Sequence, residues 1–238
     1  MFHFLRPSRL FAFISDIHLE RWSKNTYTYP IFNSFKTRGI FLAGDIGWPS
    51  MPNYARFLEY CAFEFPKVFI IAGNHEYDRY KVSDYWIVEE TIREIVAKIP
   101  NKNVVFLQNE KYELCENYSI LGSTLWSERV NSDLHEKSVE WLKSEIEEER
   151  KNNREVIILT HHVPTRLLIE PHYVNNYKNY RNFYSNLEYL IKPPVAHWIC
   201  GHSHSIQEKI CNSVTLHMNC DLKGKEVKYL ELPPITTR

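Results

Sequence analysis

A chain of 238 residues in which Lys plus Arg and Asp plus Glu each number 29 has no overall charge to draw in a nucleic-acid backbone or an anionic membrane. The length suits a single domain over residues 1–238 with a sizeable core, and no apolar run reaches the roughly 20 residues of a membrane span. The N-terminus lacks an apolar core with a small-residue cleavage site, and the five cysteines form no C-x-x-C pair. A cytoplasmic protein with free, mostly buried thiols is therefore expected.

In chain order, Leu10 to Ser15 reads as a buried strand running into Asp16-Ile17-His18. An aperiodic loop with one helical turn follows over Glu20 to Arg38. A second strand, Ile40 to Gly44, runs into Asp45, and Pro52 opens an amphipathic helix to about Phe63. A third strand, Val68 to Ala72, stops at Gly73-Asn74-His75-Glu76. Strand, helix and strand here make a βαβ unit with a parallel pair.

Ser83 or Asp84 caps the next predicted helix, to about Lys98, with Ile87, Ile92, Ile95, Val96 and Ile99 as one stripe. Short segments at Val104 to Leu107, Lys111 to Cys115 and Tyr118 to Leu125 then suggest a second, partly antiparallel sheet. Asp133 is the expected cap of a charged helix to about Asn152. A fourth strand, Val156 to Thr160, runs into His161-His162, and an irregular rim follows over 163–194, rich in tyrosine. A fifth strand, Val195 to Gly201, runs into His202-Ser203-His204. A hairpin (Gln207 to Cys211, Val214 to His217) and a last strand (Glu226 to Leu232) close the chain.

Five apolar runs thus end in carboxylates, an amide and imidazoles, and sites in α/β sheets form beyond the carboxyl ends of strands. Two divalent cations side by side need about four ligands each and a shared carboxylate to offset their repulsion. Asp16, His18, Asp45, Asn74, His161, His202 and His204 supply such a set. Mixed nitrogen and oxygen donors suit Mn, Fe, Zn or Co better than Ca, with Mn favoured, and no thiolate belongs to the set.

The order Asp-x-His, Gly-Asp, Gly-Asn-His-Glu, His, Gly-His-x-His, spread over residues 16 to 204, resembles the calcineurin-like metallophosphoesterase superfamily. Leu121 to Trp126 and Thr160 to Thr165 also resemble segments of its small bacterial-type members. The resemblance implies a four-layer α/β sandwich of two mixed sheets flanked by helices. It also implies one metal on Asp16, His18, Asp45 and His204, and another on Asp45, Asn74, His161 and His202. His161 fills the family's ligand position, with His162 behind it. His75 is implied as the non-ligand catalytic histidine, and a hydroxide bridging two metal ions as the nucleophile of a phosphoester hydrolase.

One departure stands out. Many members carry a second aspartate, Gly-Asp-x-x-Asp, that orients this histidine, where this chain has Gly44-Asp45-Ile46-Gly47-Trp48. Glu76 or a backbone carbonyl is left as the substitute. Weaker general-acid help favours a better leaving group, hence a small phosphodiester over a monoester. A nuclease would need a basic groove, which the neutral composition does not encourage. A metal-binding scaffold docking a protein partner would not need Asp45 for turnover. His197 is expected to pack or pair in the core, and His135, His172 and His217 to be surface or structural residues. Trp48, Trp126 and the tyrosines at 173–184 are candidates to line a pocket.

Overall fold

The structure, a computed structural model, describes residues 9–22, 37–176, 182–221 and 226–232. The first half of the chain gives β1 (Leu10–Ile14), β2 (Thr37–Ala43), α1 (Pro52–Glu64), β3 (Val68–Ile71), α2 (Tyr85–Lys98) and β4 (Val104–Phe106). The second half gives β5 (Glu110–Cys115), β6 (Tyr118–Ser123), α3 (Ser132–Lys151), β7 (Glu155–Thr160), α4 (Pro171–Asn176), β8 (Val195–Cys200), β9 (Ile206–Cys211), β10 (Val214–Asn219) and β11 (Lys228–Glu231). One sheet has the order β11-β1-β2-β3-β4 and the other β5-β6-β7-β8-β10-β9. Within each sheet the central strands run parallel and the outermost partners are antiparallel, except at β4.

Alternation along the strands sorts the core into layers, because successive side chains point to opposite faces. Ile40, Leu42, Val68 and Ile70 face outward onto Tyr54, Phe57 and Leu58 of α1 and Val88 and Ile92 of α2. Their neighbours Phe41, Ala43, Phe69 and Ile71 face inward and meet Ile120, Ile157, Leu159 and Ile199 of the other sheet. On the far side Val156, Ile158 and Trp198 take Val139, Leu142 and Ile146 of α3. Helix, sheet, sheet and helix give the expected four layers. The inner faces carry aromatic contacts such as Phe11 on Phe41 at 5.2 Å and Phe41 on Phe69 at 5.4 Å.

Three local expectations change. Val104–Phe106 joins the first sheet, parallel to β3, instead of the second. The crossover through α2 carries the chain back beside the strand it left, as parallel pairing requires. Asp133 lies in the first turn of α3 behind Asn131 at the cap, and neither Asn131 nor Asp84 makes a side-chain capping bond. Asp133 acts there through its charge near the positive end of the helix. Ile87 is 36 % exposed, and Val88 holds the inner position in its place. The one turn expected within 20–38 forms at Leu19–Arg21, and Thr37 and Arg38 already belong to β2; residues 23–36, Tyr177 and Tyr180 lie outside the described residues. No helix among the described residues is long and apolar enough to cross a membrane. All five cysteines are unpaired.

His217 on β10 is buried, its Nε2 3.0 Å from His197 Nδ1 on β8 and its Nδ1 3.1 Å from Glu208 Oε2 on β9. Burial and the neighbouring imidazole push His217 down to about 3, and burial also lowers His197 against the pull of Glu155. A histidine depressed in the folded state opposes protonation, so acidification from about 6.5 towards 3 withdraws stability. Urea unfolding at pH 7 and pH 5 should show a loss near 2 kcal/mol from this group. His217→Gln should flatten the dependence by that amount, and an unchanged slope in the variant would contradict the assignment.

Candidate metal centre

The carboxyl ends of β1, β2, β3, β7 and β8 meet at one end of the two sheets. Asp16, His18, Asp45, His202 and His204 all take positive φ, between 49° and 72°. Left-handed backbone disfavours a Cβ by about 1–2 kcal/mol per residue, so each bend must be held by its surroundings. The holding bonds run from loop to loop. Asp16 N–H donates to Gly44 O at 3.1 Å, His18 N–H to Asp45 O at 3.0 Å and Gly201 N–H to His161 O at 3.0 Å. His75 N–H donates to Asp45 Oδ1 at 2.8 Å, and His202 N–H to Asp16 Oδ2 at 3.0 Å.

Glycine is needed where these loops touch. A Cβ on Gly44, at φ 80°, would stand 2.6 Å from Gly73 N and 2.8 Å from His161 Nδ1. One on Gly201 would stand 2.7 Å from Asp16 Oδ2. Beneath the cluster lies Glu76, buried, whose two oxygens accept from four backbone donors. Oε2 takes Asp45 N–H at 3.0 Å and Gly73 N–H at 2.8 Å, while Oε1 takes Ile46 N–H at 2.8 Å and Gly47 N–H at 3.4 Å. Burial and the Asp45 carboxylate push Glu76 up to about 8, and the N–H donors oppose that rise. With both oxygens fully used as acceptors, the ionised form is the one the geometry accommodates.

All seven side chains singled out from sequence come together. Asp16, His18 and His204 offer donor atoms within 4.8 Å of one another, and so do Asp45, His161 and His202. Asn74 Oδ1 joins the second group, 3.1 Å from His161 Nε2. Asp45 Oδ2 lies between the groups, 3.2 Å from His161 Nε2 and 3.9 Å from His18 Nε2. His18 Nδ1 faces Glu20 at 2.8 Å and His161 Nδ1 faces the Ala43 carbonyl at 2.9 Å, so each ring in its neutral form donates outward and turns a lone pair inward. A buried set this rich in carboxylate, amide and imidazole lone pairs, with no thiolate, fits hard to borderline divalent cations.

Acids and imidazoles packed this closely shift one another. Burial alone would raise Asp45, yet the imidazoles of His161, His75 and His18 hold it well below the usual carboxylate range. His161 is pushed up to about 9 because the Asp45 charge outweighs its burial. Burial and neighbouring imidazoles keep His202 far below its ordinary value, and His162 at about 3. His162 bonds the Thr124 carbonyl at 3.3 Å and packs behind His202 with rings 4.2 Å apart, so it is His161 that reaches Asp45.

His75 lacks neither position nor partner. Its Nε2 is 4.0 Å from Asp45 Oδ2, while Nδ1 faces Asp78 Oδ2 at 2.9 Å and Glu20 Oε1 at 3.4 Å. Glu76 is committed to backbone and does not serve as the substitute partner. Sequence reasoning passed over Asp78 and Glu20, although each stands a short step after a motif histidine. Burial would lower His75, but these carboxylates and Asp45 raise it above 6.5.

Beside Asp45 opens a cleft of about 250 Å³, walled by Tyr173 and Phe183 and floored by Asn74, His75, His202 and His204. Trp48 and Trp126 are not among its lining. Trp126 is buried against Tyr85, and Trp48 lies beneath Arg79. His135 is buried on the Leu125 carbonyl, and His172 pairs with Glu170.

Comparison with known proteins adds to this geometry. A family model described as calcineurin-like phosphoesterase matches residues 9–205. An uncharacterized protein of Acanthamoeba polyphaga mimivirus is 25 % identical over 264 aligned positions, covering 89 % of this chain and 90 % of that one. A phosphopantetheinyl hydrolase from Mycobacterium tuberculosis superposes with a TM-score of 0.58 at 11 % identity, covering 92 % of both chains. A dimetal phosphatase from Danio rerio superposes with a TM-score of 0.55 at 11 % identity, covering 95 % of this chain and 93 % of its own.

Because Glu76 fixes the backbone that aims Asp45, Glu76→Gln should weaken Mn2+ binding by roughly 10–100-fold, as loss of an outer support does elsewhere. Calorimetric titration alongside far-UV circular dichroism checks this. Unchanged affinity with unchanged fold would show that the four donor bonds do not support the site.

Proposed function

We propose, from the premise that this chain belongs to the calcineurin-like phosphoesterase family, that it hydrolyses a small-molecule phosphodiester at the Asp45 centre. The chain is a metal-dependent hydrolase; its substrate, metals and residue roles are the proposed part. The observation that carries the proposal is the position of Asp45 Oδ2 between two buried donor groups.

Asp16, His18, Asp45 and His204 would hold one divalent cation, and Asp45, Asn74, His161 and His202 the other, Mn2+ being favoured. Bound there, the pair supplies an activated water and neutralises charge on the phosphoryl oxygens. His75 supplies the remaining need of ester cleavage, a proton for the departing oxygen. Its side chain is 26 % exposed at the cleft, and three carboxylates favour its charged, donating form.

The diester preference now rests on the cleft instead of on a poorly supported acid. Among the described residues lining it there is no Lys or Arg to take up the second charge of a monoester. Two aromatic rings, Tyr173 and Phe183, stand 5.9 Å apart on its wall and offer a surface for an apolar or planar substituent on the second ester arm.

With Mn2+ present, bis-p-nitrophenyl phosphate should be turned over with a higher kcat/KM than p-nitrophenyl phosphate. A strong monoester preference would contradict the diester assignment. Asp45→Asn should lose Mn2+ binding and hydrolysis together, by more than about 100-fold. Hydrolysis surviving that change would overturn the metal assignment, and an inactive wild type that still binds Mn2+ would favour a scaffold.

A further inference from the structure

We infer that Glu20 is a positioning residue that ties His18 to His75 through a single carboxylate oxygen, so that the ring aimed at the metal site and the ring aimed at the leaving group are set together. The inference rests on the roles proposed above for those two histidines.

Glu20 sits in the single turn Leu19–Arg21, directly after the Asp16 to His18 bend. Its side chain is only 6 % exposed. Oε1 is 2.8 Å from His18 Nδ1 and 3.4 Å from His75 Nδ1, and the two rings meet edge to face at 4.4 Å. An ionised carboxylate is acceptor-only, so Glu20 favours Nδ1–H on both rings, at His18 by a hydrogen bond and at His75 together with Asp78, which is 2.9 Å from the same nitrogen. The opposite nitrogens then point the same way. His18 Nε2 is 3.9 Å and His75 Nε2 is 4.0 Å from the same atom, Asp45 Oδ2.

The surroundings hold Glu20 in that place. Leu19 N–H donates to Ile46 O at 2.8 Å, and Asn53 Nδ2 donates to Leu19 O at 2.9 Å, which ties the turn to the loop after β2 and to α1. Glycine at position 47 lets the loop after β2 close on this turn, since a Cβ there would stand 2.9 Å from Leu19 Cβ. Glu20 Oε2 is buried without a hydrogen-bond partner, so the side chain is retained by what Oε1 does. Asp78, the other carboxylate at His75 Nδ1, is 40 % exposed and forms no ion pair with His18, so among the described residues Glu20 is the carboxylate that faces Nδ1 of both rings.

Two readouts separate this role from a general structural one. In the metal-free protein, long-range 15N–1H spectra should show a protonated Nδ1 on His18 and on His75, and Glu20→Ala should move His18 towards the Nε2-protonated form and shift the Nδ1 signal of His75, where Asp78 remains. At saturating Mn2+, Glu20→Ala should lose about tenfold or more on an alkyl diester beyond its loss on bis-p-nitrophenyl phosphate, because only the poor leaving group needs a well-aimed proton. Glu20→Gln, which keeps the shape and one acceptor, should restore part of that gap. If Glu20→Ala does not fold, Glu20→Gln carries both measurements, with a leaving-group gap of roughly threefold expected. Unchanged tautomers, or equal losses on the two esters, would overturn the inference. If the wild type cleaves neither ester yet Glu20→Ala shifts the rings as expected, the phosphodiester proposal falls and the tie through Glu20 stands.

Discussion

One carboxylate oxygen, Asp45 Oδ2, has to be presented at the junction of two sheets among imidazoles that would otherwise crowd it. Everything nearby serves that placement. Gly73–Glu76 comes from the end of β3 and grips the loop after β2 through Glu76, while His161 reaches across from the other sheet. The two-sheet core is what makes the reach possible: Phe41, Phe69, Ile157 and Ile199 fix the separation of the strands, and the loops inherit it. Left-handed backbone at Asp16, His18, Asp45, His202 and His204 is the conformational cost, offset by the packing and by bonds that run between loops.

Much of this was legible because strand and site share one grammar. An apolar run buried on both faces, then an abrupt polar triplet, marks both the strand and the point where its side chains enter the crevice. Asp16, His18, Asp45, Asn74, His161, His202 and His204 could be picked out that way, and the order of their motifs carried the family. The helices α1, α2 and α3 were visible from their apolar stripes to within a few residues, with Ile87 and Val88 exchanged.

What escaped was set by distant neighbours. Val104–Phe106 reads as a short strand in either sheet, and only the return of the chain through α2 settles its partner. Glu20 and Asp78 look like ordinary surface acids in sequence, yet each meets a histidine across a turn. Glu76 stands beside His75 in the motif, but its side chain turns to the backbone donors of two loops. Sequence adjacency suggested a partner that geometry gives to other residues. His217, expected at the surface or in a structural role, is buried in a chain of contacts with His197 and Glu208 that spans three strands.

Such a site requires a pair of cations sharing Asp45. Anomalous diffraction from a crystal soaked in Mn2+ tests it directly. Two peaks are expected, one on either side of Asp45 Oδ2 and roughly 3.5–4 Å apart, the first among Asp16, His18 and His204 and the second among Asn74, His161 and His202. A single peak, or density away from Asp45, would contradict it.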